Sequence, residues 1–557
     1  MSAIFPNNKI KNALLLLMAL GLAIRLGAAA LQPNYIDEGF NFYICQQGLQ
    51  SMYDHLKIDV HTPFVHLLNY PIAQCTSNIF WMRLLGVICG TLNIGVAFVL
   101  FRRFLSPQIS LVLAAFLAVD FSLWQSDALF RPYGPLALAI TAVSLGMVDI
   151  LRTGIPFTST PQERPASWPW PVFFLACLAC ASSHMLGILA LIPCFIWGLF
   201  AVAPARRRTL TCIVAGALPG IAWFVLGPFL HHPQAENVSN VTYLKWSPFL
   251  DVPSNILNLT ILPTLYQGPN DDLAVFFRYA SESATPWLNV ILYAIFAWGI
   301  YGLWKKIPKE GSFLTMLVLV PTLMLALAIV LGKMKLFQSH YVTPFTPVIL
   351  LLPAYVFAER FTKNLMSILI GVAGFIAICF PGNRLIWVQD WQSAFEFIEA
   401  RQHAGDHVGV NIAYAFYSFA MAYDGDNIHF SYADGTENFS HTPSPGKLVA
   451  LPLRLEACNA NLLDYLGSNQ LFLVLCESEL DNRRVPLWLD QYYEVVEGIN
   501  VPSENYWARL MVLQLKRRPS PATDFPMSGS TRQMQTETRQ ATEPLPSSRP
   551  SKALSEK

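Results

Sequence analysis

The sequence predicts an all-α polytopic membrane domain followed by a small α/β domain and a polar tail. Of the 557 residues, 54% are apolar and 13% are charged, whereas soluble domains carry roughly 25% charged residues. Eleven apolar runs approach the length of about 20 residues that a helix needs to cross a bilayer. Helix-like and strand-like patterns alternate only after the last of these runs. The net charge of +1 gives no support for a nucleic-acid partner.

The apolar runs define the predicted membrane domain, residues 1–381. The first run is followed by many others and lacks a clear small-residue cleavage site, so it is predicted to be a span and not a signal peptide. In chain order, the predicted spans are 13–31, 79–101, 109–125, 135–151, 171–183, 186–203, 209–229, 286–304, 312–331, 342–358 and 364–381.

The distribution of Lys and Arg predicts the orientation of these spans. With a cytoplasmic N-terminus, the short inside segments carry fourteen Lys and Arg residues, and the longer outside loops carry seven. Cytoplasmic segments are the ones enriched in Lys and Arg. The long loops 32–78 and 230–285, and everything after residue 381, are therefore predicted to lie outside.

The outside C-terminal part is predicted to contain two regions. Residues 382–518 combine the helix-like WQSAFEFIEARQ with strand-like runs such as HVGVNIAYAF, KLVALPL and LFLVLC, which indicate a small extracytoplasmic α/β domain. Residues 519–557 are rich in Pro, Ser, Thr and Gln, which predicts a disordered tail. Cysteines in the outside segments could form two disulfides, Cys45–Cys75 and Cys458–Cys476, although spacing does not determine pairing.

Ionisable and aromatic residues recur where the spans meet the outer face. The pair Asp37-Glu38 follows the first span, and an amphipathic stretch after it is predicted to lie in the membrane interface. Charges at membrane depth cost about 2.5–3.5 kcal/mol each on insertion scales and are usually functional. Acids, bases and cations are thus predicted to share one membrane face; besides the pair, they are His61, Asp127, Arg131, Tyr133, His184, Lys333, Lys335, His340 and Tyr341.

The order of these features resembles the integral-membrane glycosyltransferases of the C-type fold that use polyprenyl-phosphate sugars. That superfamily includes the protein O-mannosyltransferases and the bacterial aminoarabinose transferases of lipid A. The matching elements are Arg25, Asp37-Glu38, His61-Thr62-Pro63, Phe80 to Leu84 with Arg83, Arg131-Pro132-Tyr133, His340-Tyr341 and the helix opening DWQSAFEFI at 390–398. The sequence departs from the pattern where Thr62 precedes Pro63, where Asp127 stands four residues before Arg131 and where His340 replaces an Arg.

The resemblance implies transfer of a sugar from a polyprenyl-phosphate donor to a glycan, lipid or protein acceptor at the outer face of a bacterial inner membrane. It implies that Asp37 is the general base and that Glu38 orients the acceptor or a neighbouring base. The implied donor-phosphate ligands are His61, Arg131, Tyr133, Lys333, Lys335, His340 and Tyr341, with Arg83, Asp127 and His184 in support. A single base without a carboxylate nucleophile implies inversion, by analogy with glycosidases.

A monophosphate leaving group among Lys and Arg needs no obligatory metal, although Asp37, Glu38 and His61 could bind a divalent ion. Two other functions are open to this sequence. A transporter or flippase of a lipid-linked sugar would carry polar residues near mid-span and paired broken helices. In a non-catalytic receptor or assembly protein, the C-terminal domain would be the functional domain.

Overall fold

The structure is a computed structural model. The residues that it describes are 8–32, 34–46, 48–56, 62–76, 78–158, 169–226, 290–330 without 292, 341–360, 390–403, 406–411, 415–424, 431–432, 439–441, 447–450, 466, 470–476, 489–501 and 510–519. The predicted eleventh span at 364–381, the whole of loop 230–285 and the tail beyond 519 lie outside these residues.

The N-terminal part is helical, as predicted. Four described helices are long and apolar enough to cross a membrane, namely α1 (Asn8–Leu31), α5 (Ile79–Arg102), α8 (Tyr133–Thr153) and α11 (Ala203–Leu226). Between and after them lie α6 (Pro107–Val119), α7 (Phe121–Asp127), α9 (Pro169–Ser183), α10 (Met185–Gly198), α12 (293–306), α13 (Pro308–Val330) and α14 (Thr346–Arg360). The largest core cluster of buried apolar side chains lies among these helices.

The predicted span 109–125 is not one helix. Helix α6 ends at Val119, and α7 begins at Phe121. Asp120 separates them, and its carboxylate accepts a hydrogen bond from the backbone N–H of Leu123 at 2.9 Å. A carboxylate that caps a new helix in this way satisfies a backbone donor that would otherwise lack a partner. The break changes the path of the chain just before the turn that carries Arg131.

The segment between α1 and α5 folds into three short helices. They are α2 (Ile36–Gln46), α3 (Leu49–Leu56) and α4 (Pro63–Ala73). Phe42 and Cys45 of α2 pack against the membrane domain, whereas Met52 and Leu56 of α3 pack against the C-terminal domain. The amphipathic stretch predicted to lie in the interface is therefore interrupted near Gly48. Phe42, Cys45, Met52 and Leu56 of its apolar face are buried in protein, whereas Leu49 is exposed.

The C-terminal part is a small α/β domain, as predicted. Its seven-stranded sheet has the order β2-β3-β4-β1-β5-β7-β6, in which β1 (His407–Asn411) is parallel to both neighbours and the remaining pairs are antiparallel. Helices α15 (Trp391–Glu399) and α16 (Ala415–Asp424) pack on it. The other strands are β2 (Ser431–Tyr432), β3 (Phe439–His441), β4 (Lys447–Ala450), β5 (Leu471–Cys476), β6 (Tyr493–Val501) and β7 (Leu510–Arg517).

The Cys45–Cys75 disulfide suggested by the sequence does not form, because both are free cysteines. Cys458 lies outside the described residues, so the Cys458–Cys476 disulfide stays a prediction. Cys45 is buried, and its thiol donates to the carbonyl of His66 at 3.7 Å, whereas Cys75 is exposed. Cys45 therefore behaves as a small buried apolar side chain with a weak donor.

Candidate active site at the outer end of the helices

Glu38 is fully buried. Each of its two carboxylate oxygens accepts two hydrogen bonds. Oε1 accepts from Arg83 Nε at 2.9 Å and from the backbone N–H of Phe130 at 2.6 Å. Oε2 accepts from the second Arg83 nitrogen at 2.7 Å and from the backbone N–H of Tyr35 at 2.9 Å. These four bonds tie the first turn of α2 to α5 and to the turn between α7 and α8.

Arg83 extends the same network to the end of α1. Its remaining terminal nitrogen donates to the carbonyls of Ala29 and Gln32, each at 2.8 Å. The side chain is 1% exposed. A planar guanidinium offers five donors in a fixed arrangement, so one side chain can bond both to the Glu38 carboxylate and to backbone carbonyls at the end of α1. Arg83 therefore fixes α2 relative to α1 and α5.

Asp37, the residue next to Glu38, faces different surroundings. Its Oδ2 lies 3.0 Å from a terminal nitrogen of Arg131, and the two side chains are 35% and 10% exposed, respectively. Successive residues of an α-helix point about 100° apart, which is why adjacent carboxylates reach different partners. Of the pair, Asp37 is the carboxylate that retains access to solvent.

Aromatic rings continue from Arg131 across the site. The guanidinium carbon lies 5.8 Å from the ring centroid of Tyr133. The centroid of Tyr133 is 5.9 Å from that of His184, which is 6.4 Å from that of Tyr341. His184 precedes α10, and its Nδ1 accepts the backbone N–H of Leu186 at 3.1 Å. Nε2 then carries the proton in the neutral ring. Four distant segments thus meet around Arg131.

A third tyrosine, Tyr35, belongs to this group and was not predicted from the sequence. Burial raises the pKa of the Tyr35 phenol, the negative charge of Asp37 raises it further, and Arg131 opposes the rise. Burial likewise raises the pKa of Tyr341. Both hydroxyls are therefore protonated donors at neutral pH. The available sequence signal was the position of Tyr35 two residues before Asp37.

Asp127 lies in a buried ion pair with Arg25. Arg25 Nε donates to Asp127 Oδ2 at 2.8 Å, and the other guanidinium nitrogens donate to the carbonyls of Gly21, Leu117 and Ala118 at 3.2 Å each. The two side chains are 1% and 3% exposed. The pair joins α1 to α6 and α7.

A second buried network supports the turn that carries Arg131. His66 of α4 has its Nε2 3.1 Å from Asn41 Oδ1, and Asn41 Nδ2 donates to the carbonyl of Phe130 at 3.3 Å. Phe130 is therefore held through its N–H by Glu38 and through its carbonyl by Asn41. Sequence analysis missed His66 and Asn41 because neither belongs to a charged cluster.

Four of the predicted site residues, His61, Lys333, Lys335 and His340, lie outside the described residues. Within the part of the chain that is described, no group of three or more His, Cys, Asp or Glu side chains is arranged to hold a metal ion. Since His61 belongs to the set that could bind one, the absence of an obligatory metal stays a prediction.

No protein-family model matches the chain, and no curated protein matches it in sequence. Among solved structures, it is similar to ArnT from Cupriavidus metallidurans in the apo state, with 12% identity and a TM-score of 0.47 over 90% of this chain and 97% of that one. The same protein bound to undecaprenyl phosphate gives 13% identity and a TM-score of 0.42 over the same shares.

Another match is the Archaeoglobus fulgidus oligosaccharyltransferase in complex with Zn and sulfate, with 11% identity and a TM-score of 0.42 over 74% of this chain and 61% of that one. The Saccharomyces cerevisiae protein O-mannosyltransferase Pmt1-Pmt2 complex bound to the sugar donor gives 16% identity and a TM-score of 0.29, over 41% and 33%. All four of these matches have TM-scores below 0.5. The described residues of this chain form four helices that are long and apolar enough to cross a membrane, together with shorter apolar helices and a C-terminal α/β domain.

Proposed function

We propose that this protein transfers a sugar from a polyprenyl-phosphate donor to an acceptor at the outer face of the membrane, by inverting displacement. The observation that carries the proposal is the partly exposed ion pair between Asp37 and Arg131, with tyrosines and a histidine around it. A base and a phosphate-binding cation therefore stand next to each other at one site. The N-terminus is cytoplasmic in this proposal, and the membrane is a bacterial inner membrane.

Asp37 acts as the general base. Glu38 and Asp127 are buried and engaged by arginines, whereas 35% of the Asp37 side chain is exposed. Asp37 accepts the proton of the acceptor hydroxyl or amine as that atom bonds to the anomeric carbon. A general base of this kind contributes about 10²–10⁴-fold to the rate. Glu38 positions Asp37 and does not exchange protons.

Arg131 binds the phosphate of the donor. The bond between the anomeric carbon and the phosphate oxygen breaks, and its electron pair stays on the phosphate, whose charge changes from about −1 toward −2. A guanidinium and protonated phenols stabilise this charge, each good donor contributing about 10²–10³-fold. Phosphate competes with Asp37 for Arg131, so donor binding leaves the carboxylate ready to accept a proton.

The other phosphate contacts of this proposal are Tyr133 and Tyr341, with Tyr35 as an additional donor. His61, Lys333, Lys335 and His340 remain candidate ligands of the same phosphate. His184 supports the two tyrosine rings that it contacts. No obligatory metal takes part. The acceptor is a glycan, a lipid or a protein.

The decisive experiment is Asp37→Asn in the full-length protein. Membranes containing the protein would receive polyprenyl-phosphate sugars labelled in mannose, glucose or aminoarabinose, and transfer of the label from the lipid donor to an acceptor in those membranes would be measured. We expect at least a hundredfold loss of turnover with donor binding retained, and no loss for Glu399→Gln, a control at an exposed carboxylate of α15. Near-normal turnover of Asp37→Asn would remove Asp37 from the mechanism. For Arg131→Ala, an unchanged KM for the donor would argue against phosphate contact.

A further inference from the structure

The C-terminal domain contacts the backbone immediately before the helix that carries Asp37. The indole Nε1 of Trp391, at the start of α15, donates to the carbonyl of Asn34 at 2.8 Å. The hydroxyl of Ser418, in α16, donates to the carbonyl of Tyr35 at 2.9 Å. Trp391 and Ser418 are 1% and 0% exposed. Two helices of one domain therefore hold two successive carbonyls of the other.

The same carbonyl of Tyr35 begins the hydrogen bonding of α2. It accepts the backbone N–H of Glu38 at 2.8 Å and that of Gly39 at 3.4 Å. Asp37 lies inside this turn. The hydroxyl of Ser418 thus bonds to the atom that closes the turn around Asp37, and a shift of Ser418 moves the base relative to Arg131.

Gly39 lets the two helices come into backbone contact. A Cβ at this position would lie 2.5 Å from the hydroxyl oxygen and 2.7 Å from the Cα of Ser418. Real Cβ atoms are not found that close to backbone atoms, so any larger residue separates α2 from α16. A glycine is therefore required here for contact and not for backbone conformation.

Further along α2, the contact becomes aromatic. The rings of Tyr43 and Tyr417 stack with centroids 4.4 Å apart and an interplanar angle of 24°. Both side chains are 1% exposed and belong to a core cluster formed mainly by the C-terminal domain. The opposite side of α2, including Phe42, is buried against the membrane domain. Helix α2 is thus packed between the two domains.

From these contacts we propose that the C-terminal domain is part of the catalytic unit, with Ser418 and Trp391 as positioning residues that set the distance from Asp37 to Arg131. This inference rests on the proposed role of Asp37 as general base. A misplacement of about 1 Å by a change away from the reacting atoms can cost about 10²-fold in rate. The membrane domain holds α2 through Glu38, and the C-terminal domain holds it through the carbonyls before Asp37.

The test uses full-length variants in the same kind of membranes, and with the same donors, as the Asp37→Asn experiment. Ser418→Ala deletes one hydrogen-bond donor and removes only the hydroxyl, whereas Trp391→Phe deletes one donor and also removes one ring of a buried indole. For each we expect kcat per folded molecule to fall about 3–10-fold with the donor KM within twofold. Gly39→Ala is expected to lower kcat at least a hundredfold. Gly48→Ala is the matched control, because a Cβ there meets no atom within 4 Å, and it should leave kcat unchanged.

Hydrogen exchange provides a readout that does not depend on activity. In Ser418→Ala and Gly39→Ala, the amides of residues 36–40 should exchange faster than in the parent protein and in Gly48→Ala. Unchanged kcat and exchange in Ser418→Ala and Trp391→Phe would overturn the inference. So would a raised donor KM with kcat intact, or a lower melting temperature with unchanged kcat per folded molecule. If Asp37→Asn keeps its turnover, the proposed role of Asp37 as general base fails, and this inference fails with it. If Asp37→Asn is inactive while these variants match the control, this inference alone fails.

Discussion

Replacing Glu38 with Gln tests whether this carboxylate is a structural anchor. Glu38 accepts four hydrogen bonds, two from the guanidinium of Arg83 and two from backbone N–H groups. Glutamine has nearly the same shape but has one accepting oxygen, and its NH₂ group would face donors. The substitution also leaves the buried guanidinium without its counter-charge. Removing one partner of a buried pair costs about 3–5 kcal/mol.

We therefore expect Glu38→Gln to lower the free energy of unfolding by about 3–5 kcal/mol, which raises the unfolded-to-folded ratio by a factor between roughly 150 and 5,000. Equilibrium unfolding in mixed micelles, followed by tryptophan fluorescence, measures this loss. The double variant Glu38→Gln/Arg83→Met should lose less than the sum of the single variants, because neither charge then remains buried alone. A loss below about 0.5 kcal/mol for Glu38→Gln, or strict additivity, would refute the anchoring role.

Two further predictions concern packing and pH. Gly90→Ala would place a Cβ 2.8 Å from the Cβ of Asp127 and closer to its carboxylate, so the melting temperature should fall by several degrees. The control is Gly27→Ala, whose added Cβ meets no atom within 4 Å and which should melt like the parent protein. Equal melting temperatures of the two variants would contradict the packing argument. Arg401 donates hydrogen bonds to Glu497 and lowers the pKa of that carboxyl below its usual 4.5. The pair therefore stabilises the fold above about pH 4.5. This stabilisation is lost as the pH falls through the lowered pKa. Arg401→Gln should flatten the decline of melting temperature between about pH 5 and 3, and an unchanged acid slope would show that the pair contributes nothing.

Local sequence properties were sufficient to predict the helical membrane domain and the C-terminal α/β domain. Apolar composition and run length predicted the helical membrane domain, and alternating patterns predicted the C-terminal α/β domain, because both signals are carried by neighbouring residues. The sequence also selected Asp37, Arg131, Tyr133, His184 and Tyr341, which the structure brings together. They were recognisable because polar groups at the ends of apolar runs stand out against their surroundings.

The division of labour between Asp37 and Glu38 could not be read from their adjacency. Helical geometry turns Asp37 toward Arg131 and Glu38 toward Arg83. Only the positions of α5 and of the turn after α7 decide which carboxylate meets which arginine. The ion pair between Asp127 and Arg25 could not be predicted from the sequence either, since the two residues are 102 positions apart.

What the sequence by itself determined is the hydropathy pattern, and with it the helices, the sheet domain and the ends of the apolar runs as the place of the polar groups. What only the tertiary structure decided is which charge pairs with which, that α6 and α7 are separate helices, and that Trp391 and Ser418 hold the backbone before Asp37 from more than 350 residues away. The physical reason is that burial preference is a property of each residue, whereas hydrogen bonds and ion pairs depend on distances of a few ångströms that the packing of distant segments sets.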